Sequence, residues 1–89
     1  MNEKYLITYE LKTPNWNYTG FYNALKNLGE WWHYLDSTWV IKNTSYDSIQ
    51  MYDILRKHIS VNDFILIVEI KPETKWGYLP GDAWGWLDS

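Results

Sequence analysis

The chain has 89 residues, room for one domain and one small core, and a formal charge of −3, a balance that disfavours bulk nucleic-acid binding, which needs a Lys/Arg surplus. It has no cysteine, so disulfides and thiolate metal sites are excluded, and two histidines, His33 and His58, are too few for a His-based one. Seven Trp and eight Tyr against two Phe are far more indole and phenol than a core this size calls for, which points to an aromatic-lined pocket or an interface between copies.

Met1-Asn2-Glu3-Lys4 runs straight into a strand-like segment, without the basic region and apolar run of a secretion signal. No stretch approaches the roughly 20 apolar residues of a membrane helix. A cytoplasmic setting with no membrane contact is expected. Residues 1–89 read as a single domain, with 1–71 as its core and 72–89 as a Trp-rich tail.

Tyr5–Leu11 (YLITYEL) predicts a strand with apolar groups on both faces. Lys12-Thr13-Pro14-Asn15 ends it. In Thr19–Leu28, the residues Phe21, Ala24, Leu25 and Leu28 recur at helical spacing. Asn17 or Thr19 suits the start of that helix and Gly29 its C′ position. Glu30–Leu35 and Thr38–Asn43 flank Asp36-Ser37 and predict a hairpin, although the joint lacks Gly or Asn.

Thr44 or Ser45 then caps a second helix running to about His58. Asp47 suits its first turn, and Ile49, Met51, Tyr52, Leu55 and Ile59 form its stripe, with Ile54 outside. Asp63–Lys71 (DFILIVEIK) is a strand apolar on both sides, with Phe64, Leu66, Val68 and Ile70 on one face and Ile65 and Ile67 on the other. Pro72 ends it. In the tail, Pro80-Gly81-Asp82 is a turn and Ala83–Leu87 a short helix.

The expected class is therefore α+β, in the ferredoxin-like order β-α-β-β-α-β. A four-stranded antiparallel sheet carries two helices on one face, and the first and third strands are central. The helix-free face keeps Tyr5, Ile7 and Tyr9, or Leu6 and Thr8, together with Ile65 and Ile67. Monomers seldom leave such a patch wet. Either the tail folds over it or a second copy packs on it; a two-fold homodimer with the tail at its edge is expected.

The opening YLITYEL, the first helix ending in Leu-Gly and the block WWHYLDSTWVI resemble a superfamily of small proteins. It contains the CRISPR-associated spacer-integration subunit, virulence-associated protein D and short SinR-like proteins. The likeness spans about residues 4–71 and extends to the tail helix for the SinR-like set. It implies a homodimer. In some members an aspartate ending the first strand serves a metal-dependent nuclease, two such residues facing each other across the dimer. Glu10 stands at that position here, one methylene longer.

Candidate site residues follow. Glu10 and Asp36 lie at strand ends and as a pair could hold Mg²⁺, with Ser37 and Thr38 adding hydroxyls. Otherwise Glu10 is a solvated strand-end charge and Asp36 a turn residue bonding its own backbone. His33, between Trp32 and Tyr34, is a general acid–base candidate or an amphipathic filler at a rim. Trp31 and Trp32 are successive strand residues, so one of them faces away from the helices. Trp39 can join either surface, and Trp16 sits in a loop that no core packing obviously requires.

With Tyr9 and Lys12, these indoles could stack a flat ligand such as a nucleobase, or complete a core and an interface. Lys12 and Lys42 could meet its phosphate. The leading expectation is a non-enzymatic homodimeric binding protein without a cofactor. Its ligand would be nucleotide-sized, as for a phage or bacterial protein that sequesters a signalling nucleotide. The alternatives are a Mg²⁺-dependent ribonuclease using Glu10 from two subunits, and a module that docks on a target protein.

Overall fold

A computed structural model describes residues 3–71 and 75–88. Pro72 and Glu73, expected to end the last strand and open the tail, lie outside the described residues. Strand β1 is Lys4–Glu10, helix α1 Thr19–Lys26, β2 Glu30–Leu35, β3 Thr38–Lys42, α2 Ser48–Leu55, β4 Phe64–Ile70 and α3 Ala83–Asp88, with a 3₁₀ turn over Arg56–His58. The four strands form one sheet in the order β2-β3-β1-β4, and every neighbouring pair is antiparallel. β1 and β3 are central, as the alternating pattern requires. No helix among the described residues is long and apolar enough to cross a membrane.

Parity along the strands decides which residues meet the helices. Tyr5, Ile7 and Tyr9 of β1 face α1 and α2, and with Trp39 and Ile41 of β3 they bury Phe21, Leu25, Met51 and Leu55. β4 pairs Ile65 with Tyr9 and Ile67 with Ile7. Cross-strand partners share a face. Ile65 and Ile67 therefore lie on the helix side, where they pack against this core. This corrects their expected place on the helix-free face, which Phe64, Leu66 and Val68 occupy instead.

On that second face, α3 lays Ala83 and Leu87 over Trp32 and Val40, a small core of its own. The tail thus roofs the β2–β3 half of the sheet. It also reaches the end of β1, where Lys42 donates to the Trp86 carbonyl at 3.0 Å and sits 4.1 Å from the Trp86 ring centroid.

Local chemistry moves several expected boundaries. Asp47, not Thr44 or Ser45, caps α2: its carboxylate accepts from the Gln50 N–H while Gln50 Oε1 accepts from the Asp47 N–H. Thr44 Oγ1 instead accepts from the Tyr46 N–H. Starting at Ser48, α2 turns Ile54 toward the core and leaves Ile49 and Tyr52 outside, 71% and 46% exposed. Met51, Leu55 and Ile59 of the expected stripe do face the core, so the stripe is corrected at Ile49, Tyr52 and Ile54.

The hairpin keeps its two-residue joint, with Leu35 paired to Thr38, and a register shift between Trp32 and Leu35 absorbs the mismatch. Gly29 does not serve as a left-handed C′ residue, since its φ is not positive. It is there because a Cβ would come within 2.7 Å of the Lys42 carbonyl oxygen.

Gly29→Ala is therefore expected to lower the unfolding free energy by about 1–3 kcal/mol, because backbone must shift to admit the methyl group. Gly85→Ala in α3, where a Cβ meets nothing within 4 Å, is expected to raise it slightly. Urea denaturation of the two variants measures both.

Candidate functional site

The sheet divides the expected site residues among four places. At the β2 edge on the helix side, Trp39 is almost wholly buried and donates through Nε1 to the Tyr9 hydroxyl at 2.9 Å. The His33 ring stacks on Trp39 at 4.1 Å and 15°, and Trp31 leans on it at 5.2 Å. Tyr22 of α1 stacks from another side at 6.5 Å. Trp31 is 44% exposed, and the Lys26 ammonium lies 5.6 Å from its ring centroid. Tyr9, Trp31, His33 and Trp39 are thus brought together, with Lys26 and Tyr22, which spacing alone did not single out. The signal was available: Tyr22 and Lys26 are four apart and share a face of α1.

Trp32 lies on the opposite side of the sheet, buried under the tail, and donates to the Ala83 carbonyl at 3.3 Å. It is the one of the Trp31–Trp32 pair that faces away from α1 and α2. Trp16 is apart from both groups, pinned by its Nε1 to the His58 carbonyl at 3.0 Å.

Lys12 belongs to a fourth place. Its ammonium is 3.7 Å from Glu10 and 5.3 Å from the Phe64 ring centroid. Lys42, expected to share a phosphate with it, pairs with Lys4 at the other end of β1 and is covered by Trp86. Asp36 is exposed in the hairpin turn, and its backbone carbonyl contacts His33 Nε2 at 3.0 Å. Thr38 Oγ1 donates to Thr8 Oγ1 at 3.2 Å. Among the described residues, no group of three His, Cys, Asp or Glu side chains is placed to hold a metal ion.

Sequence reasoning passed over Asp63, which is buried where β1 leaves the sheet. Its carboxylate accepts from the backbone N–H of Lys12 at 2.7 Å and of Ser60 at 2.9 Å, and from the hydroxyls of Tyr18 at 2.7 Å and Thr13 at 3.2 Å. Burial alone pushes this carboxyl up, but those four donors outweigh it and hold it below its usual range. Asp63 fixes the loop carrying Lys12 and Trp16 against the start of β4. A lone carboxylate ahead of a strand gives no hint of four donors arriving from two loops.

Around the outer edge of the sheet lies bare apolar surface. Phe64, Leu66 and Val68, alternate residues of β4, are 60%, 58% and 42% exposed. A shallow, open depression of about 350 Å³ lies beside them, lined by Thr8, Glu10, Phe64 and Leu66 among others. No family model, curated protein or solved structure matches the chain.

Two pH effects follow. Because the folded Asp63 carboxyl lies below its unfolded value, its stabilisation is complete above the unfolded carboxylate pKa of about 4 and is lost as pH falls through the folded value. Asp63→Asn is expected to cost about 2 kcal/mol at neutral pH, the gap to the parent chain closing below about pH 4. Tyr9 behaves oppositely. Burial, only partly offset by the Trp39 N–H, pushes its hydroxyl up to about 12. Stability is full below the unfolded tyrosine pKa of about 10 and declines as pH rises toward 12. A tyrosinate absorbance titration should show a phenol titrating near pH 12 that is absent in Tyr9→Phe.

Proposed function

We propose that this chain is a non-enzymatic binding protein that works as a homodimer on a ferredoxin-like frame. The strand order, taken from the opposite edge, is β4-β1-β3-β2 with α1 and α2 against one face, which agrees with that frame. The observation that carries the dimer is the partial roof. The tail covers Trp32 and Val40 and reaches Ile70 at the end of β4, but leaves Phe64, Leu66 and Val68 of that strand in water. A strip of three large apolar side chains on one strand belongs at an interface. The resemblance to the SinR-like superfamily points the same way.

The ligand surface is the stack at the β2 edge. The exposed Trp31 and His33 rings are held from behind by Trp39, which Tyr9 and Tyr22 fix in turn. Buttressed rings beside an ammonium suit a flat anionic molecule of nucleotide size, because stacking loses little rotamer freedom and Lys26 answers the phosphate. Glu10, the residue on which a ribonuclease reading would rest, is engaged by Lys12.

Sedimentation velocity tests the assembly: a dimer is expected for the parent chain and a monomer for Leu66→Lys. A parent chain that stays monomeric at high concentration overturns it. For the ligand, nucleotides are titrated while tryptophan emission is followed. Trp31→Ala is expected to weaken binding about tenfold or more, the worth of one stacked base. Unchanged emission with every nucleotide tried removes the small-ligand part.

A further inference from the structure

The two edges of the sheet are built differently. β2, at one edge, is interrupted by the register shift between Trp32 and Leu35, a device that spoils an edge for further pairing. β4, at the other, pairs with β1 without a break over all seven residues, Phe64 to Ile70. Its sequence, FILIVEI, has no Lys, Pro or Gly and a single charge, Glu69. Long, regular, apolar edges of this kind are templates for another strand, and proteins normally blunt them.

Apolar side chains flank that edge on both sides, joined on the helix side by Arg56, Ser60 and Asp63 near Phe64. On the helix side a groove runs between α2 and β4, in two stretches of about 440 Å³ and about 260 Å³ that share Tyr52 and Ile65. Ile49 and Tyr52 stand exposed along it. On the other side stand Phe64, Leu66 and Val68. The unroofed surface therefore wraps around the free edge of β4 instead of stopping at one face.

Resting on the homodimer reading, we propose that the two copies join through the free edges of β4, antiparallel about a two-fold axis at Ile67. Their sheets then run on as one, four strands from each copy, and the exposed strip gains cross-strand neighbours on its own face, Leu66 beside Val68 of the other copy. Only this register pairs the whole strand with itself: Phe64 with Ile70 of the other copy, Ile65 with Glu69, Leu66 with Val68. Parity is satisfied, because Ile65, Ile67 and Glu69 alternate with Phe64, Leu66 and Val68 and so share the helix-side face. Charge decides in favour of a second copy as the occupant. Glu69 of one copy arrives opposite Ile65 of the other, in the stretch of groove that Arg56 lines. Among the described residues Arg56 has an exposed i,i+3 contact with Asp53, at 3.6 Å, to set against this, and Asp63, the acid in the same stretch, is taken up by its own four donors. The two-fold repeats the Glu69–Arg56 pair at both ends of the new ladder, so the edge's lone acid is answered by a base that the same chain supplies.

The test uses the full chain. Glu69→Lys and Arg56→Glu are each expected to weaken the dimer about tenfold, by placing like charges together, and the double variant to recover most of the loss. Both are exposed surface positions, so folding is kept. In parallel, amide hydrogen exchange over residues 64–70 is expected to slow as concentration rises, because edge N–H groups gain partners. A dimer whose β4 amides exchange at the same rate at all concentrations, and whose charge swap restores nothing, overturns the edge-to-edge arrangement and leaves the homodimer reading standing. A chain that never dimerises overturns both.

Discussion

Strand parity governs this molecule. Successive side chains on a strand point to opposite faces, so a strand with apolar residues on both faces has two surfaces to hide. β1 and β4 are such strands. Tyr5, Ile7, Tyr9, Ile65 and Ile67 pack against the core that α1 and α2 complete, with Ile7 in the middle of it. The even-numbered residues need a second cover, and the chain supplies only part of it. α3 closes over Trp32 and Val40, reaches Ile70 at one end of β4, and leaves Phe64, Leu66 and Val68 of that strand uncovered. The tail helix, the buried Lys42 beneath Trp86 and the wet Phe64–Leu66–Val68 strip all follow from this division.

The aromatic surplus has several uses, and the sheet keeps them apart. Trp39 is a core residue whose polar edge is satisfied by Tyr9. Trp32 is the floor on which the tail helix rests. Trp16 fastens the β1–α1 loop to the end of the second helical segment. Among the described residues, Trp31, backed by Trp39 and flanked by Lys26, combines an exposed ring with a rigid support and a nearby cation. Most of the surplus thus completes two small cores, one on each side of a thin sheet, and leaves one place with the makings of a ligand surface.

Element order and the central position of β1 and β3 were legible in the sequence, because alternation and helical spacing are local signals. Which face each residue takes was legible only in part. Ile65 and Ile67 could be assigned only from their partners in β1, and register is a long-range fact. The α2 stripe was read correctly at Met51, Leu55 and Ile59 and wrongly at Ile54, which lies three residues after Met51 and shares its face, whereas Ile49 and Tyr52 fall off that face. For the candidate site, the expected grouping of aromatic residues holds for Tyr9, Trp31, His33 and Trp39 and fails for Trp16, Trp32 and Lys12. Trp32 lies on the opposite face, as alternation requires of one member of the Trp31–Trp32 pair, while Trp16 and Lys12 lie in the loop after β1, where no local pattern places them.

The account turns on whether β4 is in water or against a second molecule. Methyl resonances of Leu66, Ile67 and Val68 followed on dilution measure this directly. They should move together toward a second set of positions as the sample is diluted, while buried Ile7 and Ile41 stay fixed. Signals for all five residues that hold still over the full concentration range, in a particle of monomer mass, would contradict it.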